Sequence, residues 1–238
     1  MYGKRGRIGL IVPSANTVME PEFHKMAPPS VTTYATRMFI AETRVETLVK
    51  MVEDVERAVR ELSTAYVNVI LFGCTAGSFL RGHEWDKQIV ERMEKEGKTP
   101  AITTSGSVIK ALEQLEARKV AVATPYIDEL NSRVKEFLER SGFEVTNVKG
   151  LGITKSIEIG EQYPETSYEL AKHVYKPSTD TIFISCTDFR TIEIIERLER
   201  DLDVNVVTSN QASFWRALDV MKFSEPVEGY GKLLSMLG

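Results

Sequence analysis

The two cysteines of the chain, Cys74 and Cys186, are its clearest candidates for chemistry. Each begins a small polar segment after an apolar run: VNVILF precedes GCTAGS (residues 73–78), and DTIFI precedes SCTDFR (residues 185–190). A thiolate can add to an electrophilic carbon, and a thiol can donate and recover a proton. A helix that starts just beyond each cysteine is expected to lower the thiol pKa from about 8.5 toward neutrality. The pair therefore predicts a nucleophile or a proton carrier in each segment.

Simpler explanations compete with these roles. Free cysteine is among the most buried residue types, so packing alone explains either residue taken singly. A disulfide is a second alternative, although a reducing compartment would keep two such cysteines as thiols. Because packing does not require Cys-Thr at matching places in two segments, the pair favours chemistry over packing.

The spacing of the cysteines recurs elsewhere in the chain. Cys74 and Cys186 are 112 residues apart, and so are Pro13 and Pro125, each of which follows an apolar run, RIGLIV or KVAVAT. One offset that serves two separate pairs of strand and loop indicates an internal duplication.

Short apolar runs alternate with amphipathic stretches and form the elements that must position the thiols. In the first half, strands are expected near residues 7–12, 31–40, 67–72 and 100–105, with helices from Val45 to Leu62 and from Trp85 to Glu96. The second half repeats this plan. We therefore expect an α/β fold of two pseudo-symmetric, doubly wound parallel-sheet domains related by duplication, with the active site between them. The predicted domains are residues 1–112 plus 213–238, and residues 113–212.

Composition excludes several classes of function. The formal net charge is −4 and no basic block is present, which argues against nucleic acid and anionic membrane as partners. No apolar run is long enough to span a membrane and no signal peptide is visible, so we expect a cytoplasmic protein. The three histidines are scattered, which argues against a metal site. The absence of GxGxxG, Walker and GxSxG patterns argues against a nucleotide cofactor and a serine hydrolase.

The loops at the predicted strand ends indicate the kind of ligand. They include PSANT (residues 13–17), both cysteine segments and the TPY of residues 124–126, and they are small and polar with few charges. Backbone N–H groups at helix starts hold anions without a lysine or arginine, so a small carboxylate is predicted. Asn16 could equally cap a helix, and Tyr126 could equally pack on its neighbours. Both alternatives stay open at this point.

Four motifs together resemble one branch of a known superfamily. PSANTVMEPE, GCTAGS, TPY and SCTDF are similar to the maleate cis-trans isomerase and arylmalonate decarboxylase branch of the aspartate/glutamate racemase superfamily. The resemblance covers nearly the whole chain. It implies a homo-oligomer, a homodimer or larger, and a cofactor-free active site between the halves. Arylmalonate decarboxylases resemble the pattern but have glycine in the first loop, and racemases usually open with a GGxG-like loop, whereas maleate isomerases combine both cysteines with PSxNT.

The resemblance implies a cysteine-based isomerase that converts a small dicarboxylate, maleate, into fumarate. Cys74 would add to the double bond, and Cys186 would donate and recover a proton. The isomerases carry an asparagine where this chain has Lys155-Ser156, which leaves the identity of the acid open. An aspartate/glutamate-type racemase, an arylmalonate-type decarboxylase and a small-carboxylate binding module are the alternatives. The implied substrate-binding residues are Ser14, Asn16, Thr75, Ala76, Tyr126, Ser156, Thr187 and Asp188.

Overall fold

Two four-stranded parallel sheets form the framework of the protein. A computed structural model describes residues 2–237. The first sheet has the order β2-β1-β3-β4 and the second has the order β6-β5-β7-β8, so that the two halves share one topology. The predicted α/β fold with a duplicated parallel sheet is confirmed. The strands are β1 (Gly6–Pro13), β2 (Val31–Met38), β3 (Val69–Phe72), β4 (Ala101–Thr103), β5 (Lys119–Thr124), β6 (Glu144–Gly150), β7 (Thr181–Ile184) and β8 (Asn205–Thr208).

The register of the central strands repeats with the same offset as the cysteines. Ile8 of β1 lies opposite Val69 of β3, and Val120 of β5 lies opposite Thr181 of β7, each residue 112 positions after its counterpart. All four residues of β3 and of β7 are buried, as expected for parallel strands that are covered on both faces. Because the register is shared, β3 and β7 end at equivalent places, and each is followed by its cysteine segment.

Helices cover both sheets. Among residues 2–237 no helix combines the length and the apolar character needed to cross a membrane. The helices of the first half are α1 (Met19–Met26), α2 (Val45–Val52), α3 (Val55–Ser63), α4 (Thr75–Phe79), α5 (His83–Gly97) and α6 (Thr104–Gln114). The remaining helices are α7 (Asp128–Arg140), α8 (Ser156–Gly160), α9 (Pro164–Val174), α10 (Ile195–Leu202), α11 (Ser209–Val220) and α12 (Lys232–Ser235).

The single helix predicted from Val45 to Leu62 is wrong, because the structure divides it into α2 and α3. At the break, the N–H groups of Glu53 and Asp54 bond to carbonyls three residues back, at 3.2 Å each, which tightens the turn. Of the predicted apolar positions, Leu48, Val52, Val55, Val59 and Leu62 are buried, and Val45 and Val49 pack partly buried against the core. The break lets α2 turn toward the end of β3, where it packs on α4.

The C-terminal segment contacts both halves. Helix α11 packs on α1 and α6 of the first half and on β8 of the second. Beyond it, the Tyr230 hydroxyl donates to the carbonyl of Lys25 at 2.7 Å, whereas the Lys232 N–H donates to Glu199 of α10 at 3.0 Å. The assignment of residues 213–238 to the first half stays a prediction, and the segment joins the two sheets.

Candidate active site

Both cysteines line one cavity between the two sheets. The space between its walls is about 370 Å³ with its open mouth included. Neither cysteine is in a disulfide. Among residues 2–237 no group of three or more His, Cys, Asp or Glu side chains is placed to hold a metal ion. The lining residues are Pro13, Asn16, Ile40, Thr43, Leu48, Cys74, Thr75, Ala76, Tyr126, Ser156, Ile159, Cys186, Thr187 and Asp188.

Cys74 is the residue that caps the N-terminus of α4. Its sulfur accepts a hydrogen bond from the Gly77 N–H at 3.4 Å. Burial nevertheless raises the pKa of the Cys74 thiol from 9.0 to about 12; the Gly77 contact lowers this pKa and the charge of Asp188 raises it further. The prediction that the helix start brings this pKa toward neutrality is therefore wrong, because desolvation of the thiolate outweighs one N–H contact.

Cys186 has a different local environment. No α-helix follows it directly, since α10 begins at Ile195, so the prediction of a helix start beyond each thiol is wrong for this residue. Its φ of 112° is in the region that favours glycine. Burial again raises the pKa of the Cys186 thiol, which the charge of Asp188 raises further and a hydrogen bond with Tyr126 lowers.

Ser209, the first residue of α11, connects the two cysteine loops. Its Oγ accepts a hydrogen bond from the Cys186 N–H at 3.0 Å and another from the Thr75 hydroxyl at 2.9 Å. Ser209 is completely buried. Ser209 was not singled out in the sequence analysis. A signal was present, because Thr-Ser follows the same kind of strand at residues 104–105 in the first half and 208–209 in the second. The bond to the Cys186 N–H stabilises the unusual backbone at that cysteine.

Asn16 bridges the halves from the start of α1. Its Oδ1 accepts the N–H groups of Val18 and Met19, at 3.0 and 2.9 Å, as a helix cap does. Its Nδ2 donates to the Thr187 hydroxyl at 3.0 Å, and that hydroxyl donates to the carbonyl of Gly73 at 3.1 Å. An amide nitrogen carries two hydrogens, so Asn16 has one N–H left for a ligand in the cavity. Capping and ligand binding are thus compatible roles.

Tyr126 is buried at the end of β5, beside the second thiol. Its hydroxyl lies 3.5 Å from the Ser185 Oγ and interacts with Cys186. Burial holds the pKa of the Tyr126 hydroxyl well above its usual value, so the group stays protonated and is available as a donor. Its ring also packs edge-on against Phe79 of α4. Tyr126 therefore packs on a neighbouring ring and lines the cavity as well.

Ser156 and Thr43 close the cavity from opposite halves. Their hydroxyls are 2.9 Å apart and buried, and the Ser156 N–H donates to the carbonyl of Ala41 at 3.3 Å. The neighbouring Lys155 points outward: its side chain is 66% exposed and pairs with Glu158 at 3.0 Å. Of Lys155 and Ser156, only Ser156 therefore lines the cavity. Thr43 was not predicted, because no motif marks its segment.

Ser14 is the one predicted binding residue that does not line the cavity. Its hydroxyl donates to the carbonyl of Ile40 at 3.1 Å and accepts the N–H of the same residue at 3.0 Å. The prediction of substrate contact by Ser14 is corrected to a supporting position, because both hydrogen-bonding directions of the hydroxyl are used to hold the segment that carries Ile40 to the cavity.

A buried carboxyl supports the second cysteine loop from α1. Glu22 accepts the N–H of Thr191 at 2.9 Å and the side-chain amide of Asn210 at 2.6 Å. The same amide donates to the carbonyl of Thr187 at 3.0 Å. Burial raises the pKa of Glu22 from 4.5 to about 7. Sequence reasoning missed both residues, although Glu22 is part of the PSANTVMEPE motif.

Two duplicated α/β halves that contribute one thiol each to a shared cavity define a class of two-cysteine proteins. Within that class, the chain belongs to the arylmalonate decarboxylase family, whose model matches residues 8–234. The predicted branch of the racemase superfamily is confirmed. The chain is 28% identical over 246 residues to a maleate isomerase of Geobacillus stearothermophilus, with 98% of each sequence covered.

Solved structures show the same fold. The maleate isomerase Iso of Pseudomonas putida S16, a cysteine-to-alanine variant with maleate, matches with a TM-score of 0.93 at 27% identity, over 97% of this chain and 98% of that one. A cysteine-to-serine variant of the Nocardia farcinica maleate cis-trans isomerase, with a covalently bound succinylcysteine intermediate, matches with a TM-score of 0.92 at 24% identity. That match covers 97% of this chain and 98% of the other.

Proposed function

We propose that this protein is a cysteine-based isomerase that converts maleate to fumarate without a cofactor. The observation that carries the proposal is the pair of free thiols, one from each half, in a single buried cavity. The family relatives named maleate isomerase support the choice of substrate. The Nocardia variant supports a covalent route, because a protein of this fold holds a succinylcysteine intermediate.

The reaction starts when the Cys74 thiol releases its proton to solvent and becomes a thiolate. Its sulfur forms a bond to one alkene carbon while the π bond breaks, and the electron pair moves to the neighbouring carbon and its carboxylate. Cys186 gives its thiol proton to that carbon. The central C–C bond is now single and rotates. The Cys186 thiolate then takes the proton back, the π bond forms again, the C–S bond breaks, and fumarate leaves with both sulfurs in their starting states.

The thiol pair divides these roles by its surroundings. The Cys74 sulfur accepts the Gly77 N–H and the Cys186 sulfur accepts the Asp188 N–H, each at 3.4 Å, so one backbone donor stabilises a thiolate at either sulfur. Cys186 has the Tyr126 hydroxyl beside it, a group placed to stabilise the thiolate that forms after proton donation. Since burial raises the pKa of both thiols, each is protonated at neutral pH before the substrate enters.

The carboxylates of the substrate are held by donors from both halves. Thr75 and Ala76 occupy the first two positions of α4, where backbone N–H groups have no acceptor inside the helix. Tyr126 and the backbone near Thr187 supply further donors. The free N–H of Asn16 and the Ser156 hydroxyl complete the set. These contacts fix the acid while the central bond turns between the two sulfurs.

An amino-acid racemase is the second candidate. One oxygen of Asp188 is buried without a hydrogen-bond partner, and an α-ammonium group would be a suitable partner for it. In a racemase each thiol would exchange a proton on one face of the α-carbon, and no covalent adduct would form. An arylmalonate-type decarboxylase is disfavoured because it needs only the second thiol, and a carboxylate binding module does not require a thiol on each wall.

Turnover and adduct formation test the proposal together. Proton NMR in D₂O with maleate, aspartate and phenylmalonate in separate samples should show fumarate formation only, and loss of the aspartate α-proton signal would report racemisation. Intact-protein mass spectrometry should find no adduct in Cys74→Ala, whereas Cys186→Ala should trap a maleate-sized adduct because proton transfer is slowed. Loss of a positioned acid or base costs about 10²–10⁴-fold in rate. An adduct on Cys186 in the Cys74→Ala variant would reverse the roles, and turnover of an amino acid alone would replace the isomerase by the racemase.

The cellular setting follows from the same thiols. We propose a cytoplasmic location, because two unlinked thiols required for activity persist in a reducing compartment. We also propose a homodimer or larger homo-oligomer. A second copy of the chain would cover Phe39 and Ile157, which lie on segments from opposite halves and are 83% and 45% exposed. Sedimentation equilibrium that returns the monomer mass would contradict the second proposal.

A further inference from the structure

Asp188 presents an unusual carboxyl group to the cavity. The residue is only 6% exposed and lines the same cavity as both thiols. Its Oδ1 accepts the Thr17 N–H at 2.7 Å, and the Val18 N–H and the Thr17 hydroxyl also act on this carboxyl and lower its pKa. Its Oδ2 is buried and has no hydrogen-bond partner. A buried carboxylate oxygen without a donor carries a substantial desolvation cost, so this atom calls for a partner that the protein itself does not supply.

The charged groups around Asp188 do not neutralise it. From β2, Arg37 acts on it at a distance, but its guanidinium pairs with Glu20 at 2.9 Å and donates to the carbonyl of Asn16 at 2.7 Å. The groups that face it in the cavity are the sulfurs of Cys74 and Cys186, and its charge raises the pKa of both thiols. A negative Asp188 thus opposes each thiolate.

A dicarboxylate in the cavity makes this opposition stronger. Two carboxylates that share a buried site cannot both stay ionised at low cost, and one of them takes up a proton. Asp188 is the group prepared to do so, because burial raises its pKa from 3.8 to about 7. The backbone N–H that it already accepts uses Oδ1, which leaves Oδ2 to carry the proton.

We propose that Asp188 binds the substrate as a neutral carboxylic acid, with its Oδ2–H donating a hydrogen bond to a substrate carboxylate. This inference rests on the proposed dicarboxylate substrate. It gives the Asp188 side chain a substrate-binding role in addition to that of the backbone in this loop. One proton from solvent is bound at Oδ2 when the ligand binds and is released when it leaves. The neutral acid also removes the charge that disfavours thiolates at Cys74 and Cys186.

Proton uptake measured by calorimetry tests the assignment without relying on turnover. The probe is succinate, a dicarboxylate that has no double bond for a thiolate to attack. Titrations at pH 8 in buffers of different ionisation enthalpy should give an uptake of about 0.9 proton, because a group with a pKa near 7 is about nine-tenths ionised at that pH. Asp188→Asn, which keeps a donor but cannot ionise, should bind succinate with an uptake near zero.

The matched control is Asp86→Asn. Asp86 is partly buried, with a pKa raised by burial from 3.8 to about 6, but its carboxylate accepts from Thr103 and does not line the cavity. Its replacement should leave the uptake unchanged. At pH 8 the Asp188→Asn variant should also bind succinate roughly tenfold more tightly than the unsubstituted protein does, because it avoids protonation about one pH unit above the pKa.

The outcomes separate this proposal from the isomerase itself. Four outcomes would overturn the assignment. The unsubstituted protein could fail to bind succinate, or could bind it without proton uptake. The Asp188→Asn protein could show the same uptake as the unsubstituted protein, or could fold and yet lose succinate binding. Maleate turnover without linked uptake would reject the role of Asp188 and leave the isomerase standing. Uptake without any maleate turnover would support Asp188 and reject the isomerase.

Discussion

Replacing Ser209 by alanine should damage the active site from outside the cavity. The substitution removes one oxygen that accepts hydrogen bonds from the Cys186 N–H and the Thr75 hydroxyl, at 3.0 and 2.9 Å. The Thr75 hydroxyl can rotate toward another acceptor, but the Cys186 N–H is fixed by the backbone. This N–H would be buried and unpaired, which costs about 1–3 kcal/mol.

The conformation of Cys186 adds to the effect. Its φ is 112°, and such a conformation costs a non-glycine residue about 1–3 kcal/mol relative to ordinary backbone regions. Without the hydrogen bond to Ser209, the backbone can relax and shift the thiol. We expect the free energy of unfolding to fall by about 2 kcal/mol, which lowers Tm by about 4–8 °C in a chain of this size. A shift of about 1 Å in a reacting group costs up to about 10²-fold in rate.

The assay combines thermal unfolding with maleate turnover followed by proton NMR. We expect kcat to fall by about 10–100-fold in Ser209→Ala, with a smaller change in KM, because the thiol moves more than the carboxylate donors. Ser213→Ala is the control: Ser213 is completely buried in the same helix and donates to the Thr104 hydroxyl at 3.2 Å, without touching either cysteine loop. Equal losses of kcat in the two variants, or normal kcat in Ser209→Ala, would refute the reasoning.

Two further predictions concern the buried carboxyl of Glu22 and the neighbouring residues Lys155 and Ser156. Because the folded-state pKa of Glu22 is raised from 4.5 to about 7, the stability it gives is complete below pH 4.5 and is lost as pH rises through 7, so Glu22→Gln should flatten this slope in urea unfolding. An unchanged slope in Glu22→Gln would contradict the raised pKa of Glu22. Ser156→Ala should raise KM for maleate roughly 3–10-fold by removing one donor. Lys155→Ala should leave KM unchanged, and a larger effect there would move the binding contact to the lysine.

The sequence alone determined the duplicated framework of the protein. An offset of 112 residues joins Cys74 to Cys186, and the same offset reappears in the registers of β1 with β3 and of β5 with β7. This was predictable because register and strand ends follow from local apolar patterns. Once β3 and β7 end at equivalent points of two parallel sheets, the segments that follow them must lie at equivalent edges.

The state of the thiols was decided only by the tertiary structure. Sequence reasoning used the nearby helix start to predict a lowered pKa, whereas burial raises the pKa of Cys74 to about 12. The cost of desolvating a thiolate depends on which distant segments cover it, and nothing in GCTAGS specifies that cover. Ser209 and Asp188 illustrate the same limit. Ser209 is 23 residues from Cys186, whose N–H it accepts, and Asp188 has a buried carboxylate oxygen without a hydrogen-bond partner. Such contacts arise from packing between segments far apart in the chain, which local patterns do not encode.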